Sequence, residues 1–210
     1  PYWPTTRLGL IGYAPDGRQI RAYWFKHFRY AEGPMEEADA PPPAAAPTEF
    51  PGIEVRQAWR RDDPALEADA IAYWKRLGLL PSRVSPEERA KELIAAAYKD
   101  GQLIAVATAT IEYVDFVRAR FAVLRGSTDP EHRRSHAQLA LAVPSREALE
   151  SWAIAHPQEK LAGGLAVVSR AEWGPFVDLP VWPQSELMVF SHMSDGRQVR
   201  ARWFDHYRLG

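Results

Sequence analysis

From residue 53 onward the apolar positions change period several times, and each change marks an element. Ile53–Trp59 alternates apolar and polar residues, the pattern of a strand with one covered face. Asp62 and Asp63 precede Pro64, and Leu66, Ala70, Ile71, Trp74 and Leu77 then recur at helical spacing up to Gly78. Acidic cap, proline in the first turn and glycine at the exit predict an amphipathic helix. Ser85-Pro86-Glu87-Glu88 opens in the same way, and Ala90, Leu93, Ile94, Ala97 and Tyr98 follow at helical spacing. This predicts a second helix ending at Asp100-Gly101. Gln102–Val114 and Val117–Ser127 read as two long strands. A third helix is expected to begin within Asp129–His136 and to run to about His156, kinked at Pro144. Lys160–Val168 reads as a strand, Ala171–Leu179 as an irregular crossover, and the chain closes on a hairpin. The predicted order is β-α-α-β-β-α-β-loop-β-β.

That last hairpin has a twin. Residues 1–30 align without gaps on 180–209 at a constant offset of 179, with 14 of 30 pairs identical. Asp16-Gly17-Arg18-Gln19-Ile20-Arg21-Ala22 answers Asp195-Gly196-Arg197-Gln198-Val199-Arg200-Ala201. Each copy reads as strand, Asp-Gly turn, strand. The first carries five basic residues and one Asp, a net of +4. A lone hairpin needs a sheet to join, and three readings fit: the tail of an upstream tandem domain, a strand pair added to this body or to a second copy of it, or a basic interaction arm. The match spans the chain's first residue to its penultimate one, which favours a truncated tandem duplication. The expectation is therefore a missing upstream domain, or a partner that supplies it. Because the chain opens with Pro1 rather than Met, something is also expected to precede it.

Between the first hairpin and the body, residues 31–52 hold six prolines, many alanines, five acidic residues and no Lys or Arg. Such a segment buries too little apolar surface to offset its ordering entropy, so it reads as an extended acidic linker. The chain thus divides into a hairpin (1–30), a linker (31–52) and a body (53–210).

Composition narrows the function classes. Apolar residues make up 46% and charged residues 25% of 210, which fits a globular body rather than a fibrous or wholly disordered chain. Lys and Arg number 26 against 27 Asp and Glu, a balance that argues against bulk nucleic-acid binding and against a polybasic membrane anchor. Cysteine is absent, which excludes disulfides, thiolate metal sites and a Cys nucleophile. No apolar run approaches the roughly 18 residues of a membrane span, and no secretory signal is visible. His132 and His136 stand four apart, but no third ligand accompanies them, so no metal is expected. No nucleophile elbow surrounds Ser135 or Ser145. The eight tryptophans fall mostly at periodic positions, where core packing accounts for them.

The strand–two helices–strands opening, and Thr128-Asp129-Pro130-Glu131-His132-Arg133-Arg134 between a strand and a long helix, resemble the GCN5-related N-acetyltransferase (GNAT) superfamily. The likeness covers the whole body. It implies an α/β (α+β) fold, a mixed central sheet flanked by helices, to which the first hairpin is an addition. It also implies acyl-CoA-dependent transfer of an acetyl group to the amine of a small molecule or peptide, with acetyl-CoA as co-substrate, and a cytoplasmic location. In that family the strand end and helix start hold the cofactor's pyrophosphate. The corresponding residues here are Arg133, Arg134, Ser135, His136, Ala137 and Gln138. The family signature is Arg/Gln-x-x-Gly-x-Gly/Ala; the Arg is kept, while His136 and Gln138 replace the two small residues, and side chains there hinder close backbone approach. A side chain of either residue filling the anion pocket would close the acyl-transfer reading.

The family's chemistry needs a base for the amine and often a tyrosine to protonate the thiolate. Glu112 and Asp115, at the end of the second strand of the body's long pair, are the base candidates, and Tyr207 in the last strand is the tyrosine within reach. The alternative is a GNAT-like module that has lost catalysis and serves in binding, regulation or assembly. On either reading the first hairpin is the natural connector, to a homodimer partner or to an upstream tandem domain.

Overall fold

A computed structural model describes residues 2–3, 8–13, 19–23, 47, 49–173, 179 and 181–207. The linker up to residue 46, and Trp24–Tyr30 of the first hairpin, lie outside the described residues.

Two sheets are present. Strands β1 (Tyr2–Trp3), β2 (Leu8–Tyr13) and β3 (Gln19–Tyr23) form a small antiparallel sheet in that order. The body is built on seven strands: β4 (Ile53–Gln57), β5 (Leu93–Lys99), β6 (Gln102–Val114), β7 (Ala119–Thr128), β8 (Leu161–Val168), β9 (Met188–His192) and β10 (Gln198–Trp203). Their order across the sheet is β4-β5-β6-β7-β8-β10-β9. Every neighbouring pair is antiparallel except β7 and β8. This is the mixed, helix-flanked sheet that the resemblance implied.

Helix α1 (Pro64–Leu77) begins and ends as its sequence dictates. The Asp63 carboxylate accepts from the Leu66 N–H at 3.0 Å, and Gly78 adopts the left-handed conformation (φ 60°) that lets its N–H reach Trp74 O. Its buried stripe of Leu66, Ala70, Tyr73 and Trp74 packs on Leu93, Ala96, Leu103 and Val106 of the sheet. Burying a side chain the size of Leu66 contributes on the order of 2 kcal/mol.

The second helix is shorter than the spacing predicts. α2 (Pro86–Ala90) stops at Ala90, and Leu93–Lys99 is the strand β5. All of Leu93–Tyr98 is buried. Leu93, Ala96 and Tyr98 face the α1 side, while Ala95 and Ala97 pack with Ala137 and Leu141 of the long helix α3 (Ala137–Ala155). A strand covered on both faces is apolar at every position, so helical spacing can be read into it as easily as alternation. Asp100 (φ 52°) and Gly101 (φ 77°) are not a helix end but the two-residue turn joining β5 to β6. The body's order therefore contains one strand more before the third helix than predicted.

α3 covers the other face of the sheet with Ala137, Ala140, Leu141, Leu149 and Ala153, and a 3-10 segment, Pro130–Ser135, leads into it. Pro144 is retained inside the helix, where its carbonyl accepts from the Gln57 side chain. After β8 comes a single turn, α4 (Arg170–Trp173); residues 174–178 of the predicted crossover lie outside the described residues. Among the described residues no helix is long and apolar enough to cross a membrane.

Candidate active site

The parallel pair β7–β8 comes apart. Pairing runs from Arg120 opposite Leu161, through a one-residue register shift before Phe121, to Leu124 opposite Ala166, and then stops. Beyond that point Arg125–Thr128 pairs only with β6, and Val167 and Val168 pair only with β10. A gap therefore opens at the C-terminal ends of two adjacent parallel strands, the end from which α3 departs.

Backbone alternation fixes what lines the gap. Asp129 N–H donates to Ile104 O, whereas Ala109 N–H donates across to Glu92 O. Along β7, residues 129, 127 and 125 consequently turn their backbone groups to β6, while 124, 126 and 128 turn theirs towards β8. Past Leu124, the N–H and C=O of Gly126 point into the gap with no strand partner among the described residues. The opposite lip is braced by Trp182, which packs with Ala166, Val168 and Leu187; its ring lies 4.4 Å from that of Trp173 and beneath the Arg200 guanidinium at 4.5 Å. Arg200 is itself fully buried and donates to Gln198 and to Leu179 O.

The turn into α3 is held from below by Asp129, only 1% exposed. Its carboxylate accepts from Glu131 N–H at 3.0 Å and from the Arg76 guanidinium at 3.0 Å. Burial alone raises an acid's pKa; here those two donors outweigh it and hold the carboxyl below the usual range. Asp before Pro130 is a helix-start signal, and this buried role is the feature that motif could have revealed.

The predicted anion residues fall as follows. Arg133 and His136 are exposed, Ser135 donates to His132 O, and Ala137 is buried. The side chain of Arg134 lies outside the described residues. His136 is left-handed (φ 59°), and its own side chain makes no cap hydrogen bond to the first turn of α3. Gln138 turns the other way. Its amide donates to Ser127 O at 2.7 Å and Val106 O at 3.3 Å, and its Oε1 lies 2.4 Å from where a Cβ on Gly126 would stand. Among the described residues neither His136 nor Gln138 accepts from the amides of the turn, and Gln138 covers Gly126 from the α3 face of the sheet.

The catalytic candidates are not gathered together. Glu112 stands opposite Phe121, about 10 Å down the strand from the opening at three residues' rise. It accepts from Thr110 and, at 3.3 Å, from Arg125, the first residue past the parting point. Arg125 also approaches Glu92, which pairs with Arg89. Glu112 is thus tied to the lip of the gap and remains half exposed. Asp115 sits in the 3-10 turn Asp115–Val117 at the far end of the β6–β7 hairpin, about 20 Å from the lip by strand rise. Tyr207 packs at 5.7 Å from the ring of Trp203, which faces Gly163 near the closed end of the β7–β8 pair. On the α1 side, Tyr73 is buried, which pushes its phenol up to about 12, and the Trp74 indole donates to Ser127 at 3.3 Å behind the gap.

Sheet order, flanking helices and parted strands give the mixed α/β architecture that the resemblance implied. Similar solved structures include the GNAT-family acetyltransferase of Streptococcus pneumoniae (14% identity, TM-score 0.47, covering 72% of this chain and 99% of that one). The GNAT domain of S. lividans PAT matches at 13% identity and TM-score 0.46, over 72% of this chain and 90% of that one. N-acetylglutamate synthase from Neisseria gonorrhoeae, complexed with coenzyme A and L-arginine, matches at 14% and 0.41, over 73% of this chain and 34% of that one. No protein-family model and no curated protein matches the sequence.

Proposed function

We propose that this chain is an acyl-CoA-dependent N-acyltransferase that moves an acetyl group to the amine of a small molecule or peptide. One observation carries the reading: the β7 edge at Gly126 offers an N–H and a C=O to the gap, beside a helix start whose N-cap residue, His136, makes no side-chain cap hydrogen bond. Amide-bearing chains pair with such an edge, and phosphate with such a helix start. The residues present fit acetyl-CoA on these terms: Gly126 for the amide-bearing arm, and the amides of Ser135–Gln138 with Arg133 and Arg134 for the pyrophosphate. When bound, acetyl-CoA supplies an activated thioester carbonyl. Glu112 is the candidate to take the amine's proton, and Arg125 keeps its carboxylate turned to the lip. Asp115 and Tyr207, the other candidates, require the acceptor or the chain to bring them closer. The reading carries with it a cytoplasmic location, and a role for the first hairpin, whose β2 lies against the Asp115–Val117 turn of the body, as a connector to a second unit or copy.

A second reading, a GNAT-like module without catalysis, is favoured by Gln138, whose carboxamide already lies over Gly126. Thermal unfolding with and without millimolar acetyl-CoA separates the two. A ligand at about 100 times its Kd stabilises by about 2.7 kcal/mol, a rise of roughly 5–10 °C for a domain of this size. An unchanged midpoint, together with no acetyl transfer to a mixture of amines, would leave the non-catalytic reading.

A further inference from the structure

The two hairpins agree in more than sequence. Adding 179 to the pairs of β2–β3 gives the pairs of β9–β10: Gly9 opposite Ala22 becomes Met188 opposite Ala201, and Leu10 opposite Arg21 becomes Val189 opposite Arg200. Each ladder shifts register across one extra residue, Ile11 in the first and Phe190 in the second, and these too are 179 apart. The short flanking pair repeats as well, for Tyr2 faces Gly9 as Val181 faces Met188. A bulge re-aims every side chain beyond it, so a bulge at the matching position suits both ladders to the same surroundings.

The surroundings differ on one edge. β10 has β9 on one side and β8 on the other, whereas β3 has β2 on one side and, among the described residues, no strand on the other. Phe204 N–H donates to Ala162 O, so alternation turns the backbone groups of Arg202, Arg200 and Gln198 towards β8. Their counterparts Tyr23, Arg21 and Gln19 then direct theirs out of the three-stranded sheet. Such an edge is a template for another strand.

β8 shows what that strand must be. A Cβ on Gly163 would stand 2.0 Å from the carbonyl oxygen of Arg202, so the strand that lies against this ladder needs glycine at that place. The counterpart of Arg202 is Tyr23. We propose that the open edge Gln19–Tyr23 is the docking site for the β8-equivalent strand of a second GNAT-like unit that lacks a closing hairpin of its own. The strand runs antiparallel to β3, with its glycine against the Tyr23 carbonyl. The first hairpin then completes that unit's sheet as β9–β10 completes this one. Nothing in this depends on acyl transfer.

The test uses the full chain and a synthetic peptide of residues Glu159–Arg170, read by amide hydrogen exchange. The peptide is expected to slow exchange at Gln19, Arg21 and Tyr23 by about tenfold, with Ile20 and Ala22 little changed; occupancy of that order corresponds to about 1.4 kcal/mol. The same peptide with Gly163→Val should be at least about tenfold weaker. Arg21→Pro removes an outward donor while sparing the bonds to β2, and should abolish protection at Gln19 and Tyr23. Equal protection by the valine peptide, protection only along Ile53–Gln57, or none at millimolar peptide would overturn the proposal. So would self-association of the chain that Arg21→Pro abolishes, because it would give the edge to a second copy.

Discussion

The carboxamide of Gln138 lies over Gly126, 2.4 Å from the place where any other residue would carry its Cβ. A glycine in mid-strand usually weakens a sheet; here the missing side chain is replaced by one reaching down from α3 to two strand carbonyls. Helix start and strand end are locked together at the mouth of the gap. Gly126→Ala pushes that carboxamide off its acceptors and should cost about 1 kcal/mol, the worth of an ordinary hydrogen bond. In a Gln138→Ala background the same change should be neutral, so a double-mutant cycle by urea unfolding reads the coupling directly.

If acetyl-CoA also packs on the α3 face of Gly126, the carboxamide has to swing away. Gln138→Ala removes that cost and should tighten acetyl-CoA binding about fivefold to tenfold in calorimetric titration, each tenfold being about 1.4 kcal/mol. Weaker binding in the variant would mean that Gln138 assists the cofactor rather than obstructing it.

Glu112→Gln should lower kcat by about a hundredfold, the scale of general-base catalysis, with the melting temperature little changed because the group is half exposed. Asp115→Asn should leave kcat as it is. Were the two variants to behave in the reverse order, the base would lie at the other end of the hairpin.

Asp129 makes stability depend on acid. Its folded pKa is held below the usual value, so its contribution is fully present above the unfolded pKa near about 4 and fades as pH falls through the lower folded value. Asp129→Asn should cost about 2 kcal/mol at neutral pH, because buried donors lose an ionised acceptor. The gap between variant and parent should narrow in thermal melts as pH falls from the unfolded value through the lower folded one. A gap independent of pH would show that the cost lies in packing alone.

Gly163→Ala is expected to be the harsher glycine change. Its Cβ meets the backbone carbonyl of Arg202, which cannot rotate away as the Gln138 amide can. The loss should be about 3 kcal/mol, the upper range of overpacking, and visible as fraying of β10 from β8 in hydrogen exchange.

Much of the fold was legible because it is written locally. Asp63, Pro64 and Gly78 bound α1 through contacts within a turn of themselves. The strand that escaped, Leu93–Lys99, carries no alternation because helices cover both its faces, and the covering belongs to distant residues. The Asp100-Gly101 turn beside it fits a helix exit as well as a hairpin; its partner Gln102 decides, and that is a matter of pairing. In the site, Glu112 could be picked out as a carboxylate on a long strand, but its tie to Arg125 spans 13 residues and two strands. The role of Gly126 had no local signal at all.

By itself the sequence determined the caps, the apolar stripes, the acidic, proline-rich composition of residues 31–52 and the duplication at an offset of 179, since each is a property of neighbours or of repeated text. The tertiary structure alone decided where β7 and β8 part, which backbone groups face the opening, that a glutamine amide stands over a glycine there, and that the repeat extends to a shared bulge. Those depend on strand register, and register is settled only when the whole sheet closes on its core.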